Sequence, residues 1–464
     1  TEFNTTGSFS LTSAVEPTFL AGLNTTNVDL TGNPSSIILG KTTNTANVTV
    51  GSGLTAAGPI AVYGGSITIN ESIDTTGGGV NGDNLLKASG DISLANGKSI
   101  TTNGGDIVLW SDSDEDNTGG IQLGDNAVFN TVNGATTAGL SGGGDIVLAG
   151  GPDGDNNGIP DGFAQSASAN GIKLGATDAS HTEMYSGGGD IMLRGKSTND
   201  SGTDPENVGV YQTGRWTADA GTGAILVEGD SANFYGINFV DPANNQSGGD
   251  TQLSLTSDKG TGDAITISGT TSAATYGVVF NYLNPKKILA TGGGGISITG
   301  TTTSGSNGVF LQNQDILATG GTITIDASPG ILTRPEGVRF GAKASSAITS
   351  SSSDVVLTAD AFTFDSPASG FESAVTTTGT VTLEPSGTSF SSALTFPITN
   401  LTVDASVGGL TLGKAGNTAD ITIGSAVSIG GPISVYGGDL TLDGAVTATN
   451  STLTLNASGA VTQS

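Results

Sequence analysis

Several residue types are scarce or absent in this sequence, and each absence excludes a class of structure or function. There is no cysteine, which excludes disulfide bonds and thiol chemistry and fits a chain exported unfolded across a bacterial envelope. Lysine and arginine number 14 against 42 aspartates and glutamates, a net charge of −28. This balance argues against nucleic acid and anionic membranes as partners, because both require a basic surface. No apolar run is long enough for a membrane helix, so no membrane insertion is expected.

The residues that are abundant predict an all-β chain. Glycine occurs 75 times, and aromatic and charged residues make up only 5% and 12% of the sequence. Thr, Ser, Asn, Val and Ile dominate the rest, a composition typical of short strands joined by tight turns. Short stretches such as DISLANG and ISITG alternate apolar and polar residues, so every second side chain can face a common interior.

Two types of short strand alternate along the middle of the chain. One follows a glycine corner, as in GGDIVLW from Gly104, GGGDIVLAGG from Gly142 and GGGDIMLRG from Gly187. The other has the form GGIQLGD, from Gly119, or NGIKLGA, from Asn170. Stacking of equivalent coils would place each strand type in its own sheet, which predicts a parallel β-helix with loop insertions. Tandem β-sandwich domains are the alternative fold.

A longer repeat relates two distant segments. GKTTNTANVTVGSGLTAAGPIAVYGG at residues 40–65 matches GKAGNTADITIGSAVSIGGPISVYGG at residues 413–438, an offset of 413 − 40 = 373. With a four-residue slip the match continues from LLKASGDISL at Leu85 to TLNASGAVTQ at Thr454. We therefore predict one higher-order repeat over residues 1–393, with an acidic loop insertion near 151–163. Residues 394–464 then begin the next repeat and are equivalent to about 21–90.

The repeat texture resembles a known family. Runs such as ITINESIDTTGGG, LLKASGDISLANGKSITTNGGDIVLWSDSD and SGGGDIVLAGG look like the filamentous-haemagglutinin-type exoproteins and giant adhesins of bacterial surfaces. The resemblance covers roughly residues 27–340 and 398–464. It implies a secreted, right-handed parallel β-helix used in adhesion, aggregation or matrix building.

Two functions follow as expectations from the repeats and this resemblance. The first is a structural repeat of a secreted, extracellular or cell-surface bacterial fibre that associates head to tail with itself. The alternative is an adhesin that binds carbohydrate or cell surfaces through its loops, with Trp110, Trp216 and Tyr211 as candidate sugar-stacking residues. A polysaccharide-active enzyme is the least favoured function, because the single histidine, His181, has no evident catalytic partner.

One loop has the spacing of a calcium-binding motif. The stretch PDGDNNGIPDG, residues 152–162, follows the order D-x-[DN]-x-[DN]-G, with Gly158 at the turning position. It resembles the calcium loops of thrombospondin type-3 and dockerin repeats, although Ala164 stands where an EF-hand has a bidentate glutamate. An acidic surface loop without a metal is the alternative, and a second acidic run at residues 112–116 is expected to be such a loop. The predicted Ca²⁺ ligands are Asp153, Asp155, Asn157, the carbonyl of Ile159, and Asp161.

Overall fold

The computed structural model confirms an all-β fold whose strands pair in parallel. It describes residues 2–14, 18–78, 82–132, 142–198, 207–240, 253–273, 275–281, 286–303, 307–328, 330–336, 338–344, 346–365 and 373–464. The helical structure in these ranges is a 3-10 turn at Thr76–Gly78. Within the same ranges, no helix has the length and apolar character needed to cross a membrane. The chain divides into unit 1, Thr1–Asn233 with Val240–Gly248, and unit 2, Phe234–Phe239 with Gly249–Ser464.

Unit 1 is a parallel β-helix whose coils contribute strands to three sheets in turn. Sheet 1 contains Ser8–Leu11, Ser36–Leu39, Ile60–Gly64, Asn84–Ala88, Ile107–Ser111, Ile146–Gly150, Ala164–Ser166, Ile191–Ser197 and Ile225–Ser231. Sheet 2 contains Leu23–Asn24, Val48–Val50, Ile67–Ile69, Ile92–Leu94, Ile121–Leu123, Ile172–Leu174 and Val210–Gln212. Sheet 3 contains Leu54–Thr55, Ile73–Asp74, Ser99–Thr101, Val128–Asn130, His181–Tyr185 and Arg215–Asp219, and Glu2–Asn4 pairs separately with Asp29–Thr31.

Unit 2 is built in the same way. Sheet 4 contains Asp263–Thr271, Gly295–Thr302, Thr322–Asp326, Asp354–Thr358, Thr380–Glu384, Gly409–Leu412, Ile433–Gly437 and Leu453–Ala457. Sheet 5 contains Ile237–Val240, Val278–Asn281, Val309–Gln312, Ile331–Glu336 and Ala361–Thr363, and sheet 6 contains Leu253–Ser257, Lys286–Ala290, Gln314–Ala318, Arg339–Gly341, Ser373–Thr376 and Leu401–Val403. Sheet 7 contains Leu394–Phe396, Ile421–Ile423, Leu440–Leu442 and Val461–Gln463, and sheet 8 contains Val427–Ile429 and Val446–Ala448.

The core consists of side chains that repeat at the same position from coil to coil. Strand Ile60–Gly64 alternates buried and half-buried residues, as the sequence alternation predicts. Its Ile60 pairs with Ile37 on one side and with Asn84 on the other. Each fully buried aliphatic side chain contributes roughly 1.5–3 kcal/mol to stability, so these columns stabilise the stack of coils.

The long repeat has the same local structure in both units. Strands Ser36–Leu39 and Ile60–Gly64 correspond to Gly409–Leu412 and Ile433–Gly437 at an offset of 433 − 60 = 373. Strand Asn84–Ala88 corresponds to Leu453–Ala457 at 453 − 84 = 369, which places the four-residue slip between equivalent strands. The corner glycines also correspond, because Gly40 and Gly413 have φ of +83° and +74°. A Cβ atom at either position would lie 2.3 Å from a carbonyl oxygen, that of Tyr63 or Tyr436.

Candidate functional site

An apolar cluster lies on the outer face of sheet 1 in unit 1. Strands Ile107–Ser111 and Ile146–Gly150 are buried at all five positions rather than at alternate ones. Their outward side chains form the outer cluster, which consists of Val108, Trp110, Val147 and Ala149. Ile159 packs against this cluster. The loop after Ile146–Gly150 therefore folds back and covers the outside of the sheet.

This loop, residues 151–163, is fastened to the sheet at several points. Gly150 and Gly162 form an antiparallel bridge at its base. The indole Nε1 of Trp110 donates a hydrogen bond to the carbonyl of Gly151 at 2.9 Å, and Arg194 Nη1 donates to the carbonyl of Asp161 at 2.7 Å. Trp110 thus anchors the loop and packs beneath it.

Hydrogen bonds within the loop orient its carboxylates. Asp153 accepts from the backbone N–H groups of Asn157 and Gly158 at 3.1 and 3.0 Å. Asp161 Oδ2 accepts from the N–H of Gly154 at 2.8 Å. Gly158 has φ of +90°, a conformation that glycine adopts freely. The loop conformation consequently depends on the glycine that the motif places there.

The structure brings three of the five predicted calcium ligands together. Asp153, Asp155 and Asp161 each offer a carboxylate oxygen, and these oxygens lie within 4.8 Å of one another. Asn157 instead uses its Oδ1 to accept from the N–H of Ile159 at 2.7 Å and its Nδ2 to donate to Asp155 at 3.1 Å. Clustered carboxylates are the hard oxygen ligands that Ca²⁺ prefers, so the donor set fits this ion.

A lysine outside the calcium motif lies beside the loop. Lys87 Nζ is 3.3 Å from the centroid of the Trp110 ring, a cation–π contact. Burial lowers the pKa of Lys87, and the negative charge of Asp153 opposes that shift. In the sequence, the run IVLW at residues 107–110 is apolar at every position instead of every second one. This feature could have indicated that Trp110 faces protein and not solvent.

The second acidic run contains one buried carboxylate. Asp114 and Asp116 are exposed, as expected for a solvated loop, but Asp112 is only 3% exposed. Burial raises the pKa of Asp112 to about 6, although N–H groups of Asn117 and Thr118 donate to it. Carboxylate oxygens of all three residues lie within 4.8 Å of one another, so like charges also favour the protonated form of Asp112.

The other candidate residues have structural surroundings. Trp216 is fully buried, and Trp110 is 5% exposed beneath the 151–163 loop. Neither ring offers a face for sugar stacking, so the prediction that these two residues contact a sugar is wrong. Tyr211 is half-buried, with Lys173 Nζ 5.8 Å from its ring centroid. His181 lies on strand His181–Tyr185, which pairs with strand Arg215–Asp219. Its Nε2 is 3.0 Å from Thr217 Oγ1 on that neighbouring strand.

A cleft of about 340 Å³ opens in unit 2 beside strands Ala361–Thr363 and Leu394–Phe396, which belong to different sheets. Phe362, Phe364 and Phe390 line it.

No family model matches the chain, and the searches of curated proteins and of solved structures found no significant match.

Proposed function

We propose that this chain is the structural repeat of a secreted bacterial fibre, at the cell surface or in the extracellular matrix, built from stacked β-helix coils. The recurrence of one corner structure in both units carries this proposal. Asn44 Nδ2 donates to the carbonyl of Tyr63, and Asn417 Nδ2 donates to that of Tyr436, both at 2.7 Å. A repeat conserved to this level of detail suits a shaft in which equivalent coils recur.

The recurrence extends to residues outside the sequence match. The Oδ1 atom of Asn44 accepts from Thr18 Oγ1 at 2.7 Å, and that of Asn417 accepts from Ser389 Oγ at 2.9 Å. The offset is 389 − 18 = 371 rather than 373, so a two-residue length difference hid this part of the repeat.

Exposed apolar residues in the first and last coils also support self-association. Leu453 and Val461 in the last coil are 40% and 52% exposed, and Phe3 in the first is 42% exposed. In the coil equivalent to the last one, the corresponding residues Asn84 and Ile92 are fully buried, because the strands that contain them pair with Ile107–Ser111 and Ile121–Leu123 of the next coil. A coil from a second copy, or from a further repeat, would bury the exposed residues in the same way, and unpaired strand edges readily accept another strand.

The test is assembly of the 464-residue polypeptide. We expect filaments by electron microscopy and large species by sedimentation velocity, without added ligand. Leu453→Asp combined with Val461→Asp should abolish assembly, because the charges would be buried at the junction. Leu20→Asp is the matched control, since Leu20 is 97% exposed and lies outside the strands. A wild-type chain that stays monomeric at high concentration would refute the proposal.

We also propose that the 151–163 loop binds Ca²⁺ through Asp153, Asp155 and Asp161. Such a site would rigidify a surface loop of the shaft and take no part in a reaction. We expect no catalytic activity from this chain.

A glycan-binding adhesin is the second candidate function, and a stack of half-buried aromatic rings in unit 2 favours it. The centroids of Tyr235 and Tyr276 are 6.0 Å apart, and those of Tyr276 and Phe310 are 5.4 Å apart. Aromatic rings that remain partly exposed can stack on sugars, and the tyrosine hydroxyls can bond to them. This function requires a saccharide ligand, whereas the fibre does not.

A further inference from the structure

Four aspartates occupy the same corner in successive coils of unit 1. Each stands one residue before a strand of sheet 1, and these strands pair in register. They are Asp83, Asp106, Asp145 and Asp190. We refer to them as the aspartate row.

Each carboxylate of the aspartate row accepts a backbone hydrogen bond from the next coil. Asp83 Oδ1 accepts from the N–H of Asp106 at 3.0 Å. Asp106 Oδ1 accepts from Asp145 at 2.8 Å, and Asp145 Oδ1 accepts from Asp190 at 2.7 Å. Asp190 Oδ1 accepts from the N–H of Ala224, also at 2.7 Å. The negative charges are therefore stacked at the spacing of the coils, about 4.8 Å.

The two middle members of the row are the most affected by this stacking. Asp106 and Asp145 are half-buried, whereas Asp83 and Asp190 are exposed. Burial raises the pKa of both middle carboxyls, and the N–H group that each accepts from the next coil opposes this shift in part. The facing charge of Asp83 raises the pKa of Asp106 further, as the charges of Asp106 and Asp190 raise that of Asp145. Among the described residues, neither has a lysine or arginine as an ion-pair partner.

We propose that the aspartate row makes unit 1 more stable in mild acid than at neutral pH. A proton on the Oδ2 of Asp106 or Asp145 removes one of the stacked charges. The Oδ1 atom still accepts the N–H of the next coil, so the backbone connection between coils is retained. The row thus acts as a pH-sensitive element that strengthens the stack when the medium is acidified.

The direction follows from proton linkage. Because the folded state binds these protons more readily than the unfolded state, stability increases as pH falls from the raised pKa values towards the ordinary value of 3.8. Asp112, whose pKa burial raises to about 6, acts in the same direction as the row, whereas Asp125 acts in the opposite direction. Despite partial desolvation, the N–H groups of Thr177 and Ala176 lower the pKa of Asp125. The stability that its ionised carboxylate contributes is therefore lost as pH falls below the ordinary pKa of 3.8. Unit 1 should therefore be most stable near pH 4.

The test is thermal unfolding of the full chain followed by tryptophan fluorescence. Both tryptophans, Trp110 and Trp216, lie in unit 1, so the signal reports that unit. We expect the wild-type Tm to rise as pH is lowered from about 7.5 to about 4. Asp106→Asn with Asp145→Asn keeps the accepting oxygens, and should raise the Tm at neutral pH by about 2–4 °C. It should also reduce the rise of Tm on acidification, leaving the part that Asp112 contributes.

The control removes two charges elsewhere in unit 1. Asp91→Asn with Asp178→Asn changes exposed residues, and should leave the slope of Tm against pH close to that of the wild type. A wild-type Tm that falls between neutral pH and pH 4, or a row variant that behaves like the control, would overturn the proposal. If the variants do not fold, the 13Cγ resonances of Asp106 and Asp145 decide it, since titration at or below 3.8 contradicts it.

Discussion

At the scale of single residues, Asp153 joins the acidic loop to the sheet beneath it. Its two oxygens accept backbone N–H groups within the loop, and its charge acts on Lys87, whose ammonium lies over Trp110. A cation bound at Asp153, Asp155 and Asp161 would therefore compete electrostatically with Lys87. This competition favours weak binding.

We predict that the loop binds Ca²⁺ with a Kd of roughly 10⁻⁴–10⁻³ M, the range of extracellular modules. Asp153→Ala with Asp155→Ala should abolish the heat of binding in isothermal titration calorimetry, because it removes two of the three clustered carboxylates. Asp114→Ala with Asp116→Ala removes the same charge from the other acidic loop and serves as the control. Absence of binding in millimolar calcium, or equal loss in the control, would contradict the prediction.

At the scale of elements, strand Ile107–Ser111 shows how an insertion changes the role of a sheet face. Sheet 1 strands such as Ile60–Gly64 leave their outward residues half-buried, whereas Ile107–Ser111 is buried throughout. The difference comes from the 151–163 loop, whose Ile159 packs on the outer cluster. The loop is consequently part of the packing of unit 1 and not merely an appendage.

We predict that Ile159→Asp detaches this loop while the coils remain folded. The new carboxylate would replace an apolar side chain against the outer cluster, and burial of a charge there is unfavourable. Limited proteolysis should cleave residues 151–163 faster, and Trp110 fluorescence should shift to longer wavelength. The far-UV circular dichroism spectrum should not change. Asp155→Asn, at an exposed loop position, should leave the proteolysis rate unaltered, and unchanged cleavage of Ile159→Asp would show that the cluster does not hold the loop.

At the scale of the whole molecule, the coil register specifies how a second copy would add. Phe9 aligns with Ile37 and then with Ile60, and Leu453 aligns with Ile433, the residue equivalent to Ile60. Continuing these columns places Phe9 of one copy on Leu453 of another. Ser10 then faces Thr454 across the junction.

We predict that Ser10→Cys with Thr454→Cys forms disulfide-linked polymers under mild oxidation. Facing Cα atoms would be about 4.8 Å apart, within the range that a disulfide spans, and the native chain has no cysteine to interfere. Ser10→Cys with Asn456→Cys shifts the partner by two residues, to roughly 8 Å, and should cross-link poorly. Filaments that cross-link equally in both variants would indicate a different register.

Much of the fold was predictable because the chain repeats. The alternation in Ile60–Gly64 predicts that every second side chain faces the interior. The glycine at position 40 predicts a corner with positive φ. The three-carboxylate cluster was also predictable, because its spacing is set within eleven residues. The packing of Ile159 on the outer cluster was not predictable, since this contact joins an insertion to a sheet face and follows no periodicity. For the same reason Trp110 was wrongly placed as a ligand contact. Trp216 was wrongly placed because it occupies an inward position of the alternating strand Arg215–Asp219.

The sequence by itself determined the parallel β-helix, the alternating strand types and the equivalence of residues 40–65 and 413–438, because these depend on local pattern and on similarity within the chain. Only the tertiary structure decided that Asp83 stands in one row with Asp106, Asp145 and Asp190 of the glycine-corner strands, and that each carboxylate accepts an N–H group from the next coil. The spacings between them, 23, 39 and 45 residues, are irregular because insertions of different length separate the coils. Stacking removes that irregularity, since hydrogen bonding aligns the strand starts whatever the length of the loops between them.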